Sequence, residues 1–143
     1  MTTATFSCTI HSSDPAAKIA AEVWIDDQCL FESDHVSDHL VLIKFDNTEG
    51  QHELQLVMKN KQATDTKIDE SGVIVSDAVL EWRNIKFDGI KYDYPVQSLS
   101  RYYHDFNGTG APTVEQFYGT TGCNGSVKLK FTTPLYKWML SNM

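Results

Sequence analysis

Residues 52–59 carry the cleanest alternation in the chain. His52, Leu54, Leu56 and Met58 fall on one side, and Glu53, Gln55, Val57 and Lys59 on the other. Successive side chains of a strand point to opposite faces, so this segment predicts a half-buried β-strand. The same period of two recurs along the chain. Phe6, Cys8 and Ile10 oppose Thr5, Ser7 and Thr9; Leu80 and Trp82 oppose Glu81 and Arg83 within 79–87; and 126–131 alternates again. Residues 20–25 and 29–32 read as a hairpin around Asp26-Asp27-Gln28, and 39–45 and 73–75 as further strands. Asp14-Pro15, residues 46–50 and Asp88-Gly89 supply turn chemistry between the strands, and 59–72 is polar and turn-like. At the end, Thr133-Pro134 reads as the N-cap and first residue of a short helix with Leu135, Trp138 and Met139 at i, i+3 and i+4. Many short strands joined by turns predict an all-β antiparallel sandwich of jelly-roll type with a short C-terminal helix. With no linker or repeat, residues 1–143 are expected to form one domain.

The chain carries 12 basic and 19 acidic residues, a formal net charge of −7, and no run of Lys or Arg. Phosphate backbones and anionic lipid both need clustered positive charge, so neither nucleic acid nor a membrane is an expected partner. No apolar run approaches the length of a membrane span, and the first residues lack the basic-then-apolar pattern of a secretory signal. Cys8, Cys29 and Cys123 are widely spaced, odd in number and without a metal-ligand pattern, so free, mostly buried thiols are expected.

No nucleophile elbow, phosphate loop, dinucleotide fingerprint or zinc-hydrolase motif is present. His35 and His39 on a strand would stand about 13 Å apart, too far to share a metal. Glycoside hydrolysis needs a positioned carboxylate pair. Asp26 with Asp27, and Asp69 with Glu70, are adjacent and would point apart, while nothing local joins Glu81 to Asp105. The chain is therefore read as non-enzymatic. No cofactor is expected, with calcium the one possible exception: residues 65–72 place Asp65, Asp69 and Glu70 at spacings faintly like a calcium loop, although Lys67 occupies a ligand position.

The second half is rich in tyrosine. Tyr102, Tyr103 and Tyr118 lie near Asn107, Gln116 and Asn124. Aromatic rings pack on the CH faces of sugars and amides bind their hydroxyls, so these six residues are candidates for a glycan site. Tyrosine is equally enriched in assembly interfaces, and a core lid under a long loop would look the same. Leu135 and Trp138 carry a similar choice between capping the sandwich and docking on a neighbour.

Residues 23–31, the segment Gly50-Gln51-His52-Glu53-Leu54-Gln55-Leu56 and residues 79–90 resemble, in kind and order, the small xylan-binding type of carbohydrate-binding module. The stretches 52–61, 102–108 and 117–125 give the whole chain a similarity to small structural proteins of contractile-tailed, cyanophage-like bacteriophages. That resemblance implies a virion structural or accessory protein, decorating a capsid or placed on a tail and assembled in a host cytoplasm. Its partners would be other virion proteins or copies of itself. The alternative it leaves is a glycan-binding module, with calcium as its candidate cofactor, that holds a polysaccharide for surface adhesion.

Overall fold

The computed structural model describes residues 3–143. In chain order its strands begin with β1 (Thr3–Ser12), β2 (Ala20–Ile25), β3 (Gln28–Ser33), β4 (Asp38–Asp46) and β5 (Gly50–Lys59). A 3-10 turn over Ala63–Asp65 leads to β6 (Thr66–Ile68), β7 (Ile74–Asp77), β8 (Leu80–Phe87) and β9 (Ile90–Lys91). Helix α1 (Asp93–Leu99) precedes β10 (Arg101–His104), β11 (Thr113–Gln116), β12 (Thr120–Thr121) and β13 (Gly125–Thr133), and helix α2 (Leu135–Ser141) closes the chain. One sheet has the order β12-β8-β1-β4, with β9 beside β8; the other has the order β11-β10-β13-β5-β2-β3. Every pairing in both is antiparallel. The fold is the expected all-β sandwich.

The alternating segments bury the predicted faces. Phe6, Cys8 and Ile10 of β1 meet Leu54, Leu56 and Met58 of β5 and Val127, Leu129 and Phe131 of β13 in one core between the sheets. In β8 the buried residues are Leu80 and Trp82, then Ile85 and Phe87. The three-residue step from Trp82 to Ile85 breaks the period of two. A bulge absorbs it: the register with β1 shifts there, and Asn84 takes a left-handed φ of 53°.

Phe87, Phe131 and Trp138 form a triangle of rings with centroids 5.5–5.8 Å apart at one end of the core. Trp138 thereby stacks α2 onto both sheets at once. The start of α2 differs from the expectation. Leu135 is its first residue, and Pro134 stands before it in extended conformation. Thr133 is not free to cap, because it remains the last residue of β13 and its hydroxyl donates to the carbonyl of Thr48. The first turn is capped instead by Asn47 from the β4–β5 turn, whose Oδ1 accepts the Leu135 N–H at 2.8 Å.

Three further features lie outside the sequence expectation. Residues 93–99 form a helix, with Pro95 in the first turn, where its missing N–H breaks no helical bond. The polar stretch after β5 contains the 3-10 turn and β6, which pairs with β7 as a separate two-stranded ribbon. The thiols are free but not mostly buried: Cys8 is buried, Cys123 half-buried and Cys29 exposed at the β2–β3 hairpin.

Candidate functional site

The outward face of the six-stranded sheet is the opposite phase of the alternation that fills the core. Its register places Val114, Tyr103, Ser126, Val57 and Glu22 in one row across β11, β10, β13, β5 and β2. The adjacent row runs Gln116, Arg101, Lys128, Gln55, Trp24. An open groove of about 1130 Å³ lies over this face, with Trp24, Gln55, Glu53 and Asp27 on one side and Tyr103, His104, Asp105 and Pro112 on the other.

Each wall is fixed by local bonds. The Trp24 indole donates to Glu22 Oε1 at 2.9 Å, and Glu22 Oε2 accepts from Lys59 Nζ at 3.0 Å. The Trp24 bond, with the Lys59 ammonium behind it, holds the Glu22 carboxyl below its usual range against the opposing effect of burial. Tyr103 is 40% exposed, and Lys128 Nζ stands 5.0 Å from its ring centroid. Behind Tyr103, His104 Nε2 meets Glu115 Oε2 at 2.7 Å, and His104 Nδ1 accepts the Phe106 N–H at 3.2 Å. Both ring nitrogens are thus engaged in holding the β10–β11 wall. Gly125 lets β13 pass close beneath this wall: a Cβ there would stand 2.1 Å from the Tyr103 carbonyl oxygen.

The sequence candidates separate on this frame. Tyr103 lines the groove. Tyr102, on the opposite phase, is buried in the core, and so is unavailable as a sugar platform. Asn124 borders the groove, but its amide is committed: Oδ1 accepts the Lys61 N–H at 2.9 Å and Nδ2 donates to the Lys61 carbonyl at 3.0 Å. Asn107 Oδ1 accepts the Asn124 N–H at 2.7 Å and ties the loop down. Gln116 ends the groove-face row at the sheet margin. Exposed Tyr118 leaves that face to border a shallow hollow with Arg83, Asn84 and Gln97. Leu135 and Trp138 are packed inside the fold, so of their two readings the capping one describes their position.

The calcium candidates are used by turns. Asp65 Oδ2 accepts the Gln62 N–H at 2.8 Å, and Asp69 Oδ1 accepts the N–H groups of Ser71 and Val73 at 2.8 and 3.0 Å. Exposed Glu70 follows Asp69 at the ribbon tip. Among the described residues no three His, Cys, Asp or Glu side chains lie close enough to share a metal ion. Glu81 lies on β8, bridged to Arg83, while Asp105 is in the loop after β10 of the other sheet, at the groove.

One chain of bonds has the order of a hydrolase triad. Asp26 Oδ2 lies 2.8 Å from His52 Nδ1, and His52 Nε2 lies 3.1 Å from Thr133 Oγ1. Thr133 is buried and its proton goes to the Thr48 carbonyl, so His52 does not activate it as a nucleophile. Asp26 also accepts the Glu53 N–H at 2.9 Å. The chain is a brace joining β2, β5 and β13.

Trp24 is not among the sequence candidates, yet its signal is in the sequence. Ala21, Val23 and Ile25 are the buried phase of β2, which turns the tryptophan between them outward. No protein-family model, no curated protein and no solved structure matches this chain.

Proposed function

We propose that this protein is a non-catalytic carbohydrate-binding domain whose outward six-stranded face holds a segment of polysaccharide. The observation that carries the reading is the pair Trp24 and Tyr103 at the two sides of one open groove. β2 and β10 are separated by β5 and β13, three strand spacings or about 14 Å, a span that suits about three pyranose rings. Between them Gln55, Ser126 and Glu53 offer donors and acceptors to sugar hydroxyls. The groove is open rather than enclosed, which suits an internal segment of a chain better than a small ligand buried on all sides.

The test is affinity electrophoresis and calorimetry against neutral xylans, glucans and mannans. Binding to at least one polymer is expected, reduced about tenfold or more by Trp24→Ala and by Tyr103→Ala. A folded protein that binds none of them, or binds equally well without both rings, removes the reading.

A second reading, a structural component in a virion or another assembly, is favoured by a different observation. The β6–β7 ribbon stands apart from both sheets and exposes Ile68, Val73, Ile74 and Val75. Clustered aliphatic surface of this kind marks a protein contact more often than a glycan site. Co-sedimentation of the purified protein with itself or with particles tests this reading.

A further inference from the structure

We propose that the β6–β7 ribbon of one copy of this chain docks on the outward face of the β4-β1-β8 sheet of the next copy, linking copies head to tail. The proposal rests on the assembly reading and gives it a partner.

The ribbon is built to be presented. Isolated two-stranded ribbons are marginal in water, yet this one is anchored at its base by a buried cation. Lys61 Nζ donates to Asp77 Oδ1 at 2.5 Å and to the Gly122 carbonyl at 2.6 Å, and Thr66 Oγ1 donates to the same Asp77 oxygen at 2.7 Å. The Asp69 bonds to Ser71 and Val73 close the tip. What this frame holds out is aliphatic: Ile68, Val73, Ile74 and Val75 are 58–63% exposed. Asp69 and Glu70 make the tip acidic.

The complement is on the other sheet of the same molecule. β4 pairs with β1 along one edge and, among the described residues, with no strand along the other. Its outward side chains Leu40 and Leu42 are 79% and 63% exposed. The register sets Lys44 beside them and carries the Leu42 row through Ser7 to Lys86 and Lys91. Among the described residues none of these three lysines has an ion-pair partner. A strip of leucine and lysine therefore faces outward on an otherwise acidic protein. It matches the ribbon in both apolar surface and charge.

The match is between molecules. The ribbon leaves from the Leu80 end of β8, whereas Lys86 lies six residues further along, about 20 Å away. A ribbon-to-ribbon dimer would bring two acidic tips together, so the complementary arrangement is ribbon to strip. Such a contact is heterologous, and successive copies form a ring or an open row.

Sedimentation velocity of the full chain over a wide concentration range provides the test. The mass is expected to rise above the 16.2 kDa of one chain as concentration increases. Ile74→Asp removes the ribbon half and Leu42→Asp the strip half; both positions are exposed, so the fold is undisturbed. Each variant alone is expected to stay monomeric, and an equimolar mixture to stop at twice the monomer mass, because each retains the half the other lost. Glu70→Lys is expected to weaken association, and Lys86→Glu in the neighbouring copy to restore it. A wild-type protein that stays monomeric throughout overturns the proposal. So does a Leu42→Asp variant that associates as the wild type does. Glycan binding by the monomeric variants reports on the groove separately.

Discussion

The phenol of Tyr102 is bonded twice to the backbone of Cys123, accepting its N–H at 2.8 Å and donating to its carbonyl. Burial raises the phenol well above its usual pKa, so it stays neutral and keeps both roles. Its neighbour Tyr103 faces the groove from the other side of β10. Tyr102→Phe removes the oxygen that satisfies Cys123 and is expected to cost about 1–3 kcal/mol in chemical denaturation, with glycan binding unchanged. Tyr103→Phe is expected to leave stability within about 0.5 kcal/mol of wild type.

The aromatic triangle predicts a large effect at the end of the chain. Trp138→Ala withdraws one of three packed rings and loosens α2 from both sheets. A loss of about 3–5 kcal/mol is expected from thermal or urea unfolding. Asn47→Ala, which uncaps the same helix from a distant turn, is expected to cost about 1 kcal/mol. Because both act on one helix, the double variant should fall short of the sum.

The three thiols should separate by rate of modification. Burial pushes the Cys8 thiol up to about 12, and Cys8 has almost no exposed surface. Cys29 is exposed, though partial desolvation and the nearby carboxylates of Glu22 and Glu32 also raise its thiol. Labelling with an aromatic disulfide at about pH 8 should modify Cys29 first, Cys123 more slowly, and Cys8 only on unfolding. Mass spectrometry of quenched samples reads the order.

Glu22 makes the groove sensitive to acid. Its carboxyl is held below the ordinary value, so its contribution is present above the ordinary carboxylate range and is lost as pH falls through the lowered value. Protonation weakens its bonds to the Trp24 indole and Lys59. Trp24 fluorescence and glycan affinity should therefore both fall only once acidification passes below the ordinary carboxylate range. Glu22→Gln should start with weaker binding and lose the part of the acid response that Glu22 supplies.

Much of the architecture was legible because burial follows a period of two. Phe6, Cys8 and Ile10, and Leu54, Leu56 and Met58, are in the core where alternation puts them. The phase change between Trp82 and Ile85 was not read from the alternation of Leu80 to Arg83; it depends on the bulge opposite β1, a pairing with a distant segment. Helix α1 was not legible: seven residues barely complete two turns, and Pro95 reads as a breaker. Sheet order was not legible because it depends on pairings between distant segments. The tyrosine cluster divides between core and surface for a physical reason. A buried tyrosine is satisfied when its hydroxyl reaches a carbonyl, as Tyr92 reaches that of Met139 at 2.6 Å, and the sequence does not display that partner. Strand phase was the better guide, since it turns Trp24 and Tyr103 outward and Tyr102 inward.

The most direct test of the groove is a titration of isotopically labelled protein with soluble xylo-, cello- and manno-oligosaccharides of about four units, followed by amide and indole resonances. With at least one series, saturable shifts are expected at the Trp24 indole and at Gln55, Ser126, Lys128 and Tyr103, with none at Tyr118 or along β4. Shifts confined to those outer residues, or none in any series from folded protein, would contradict the account.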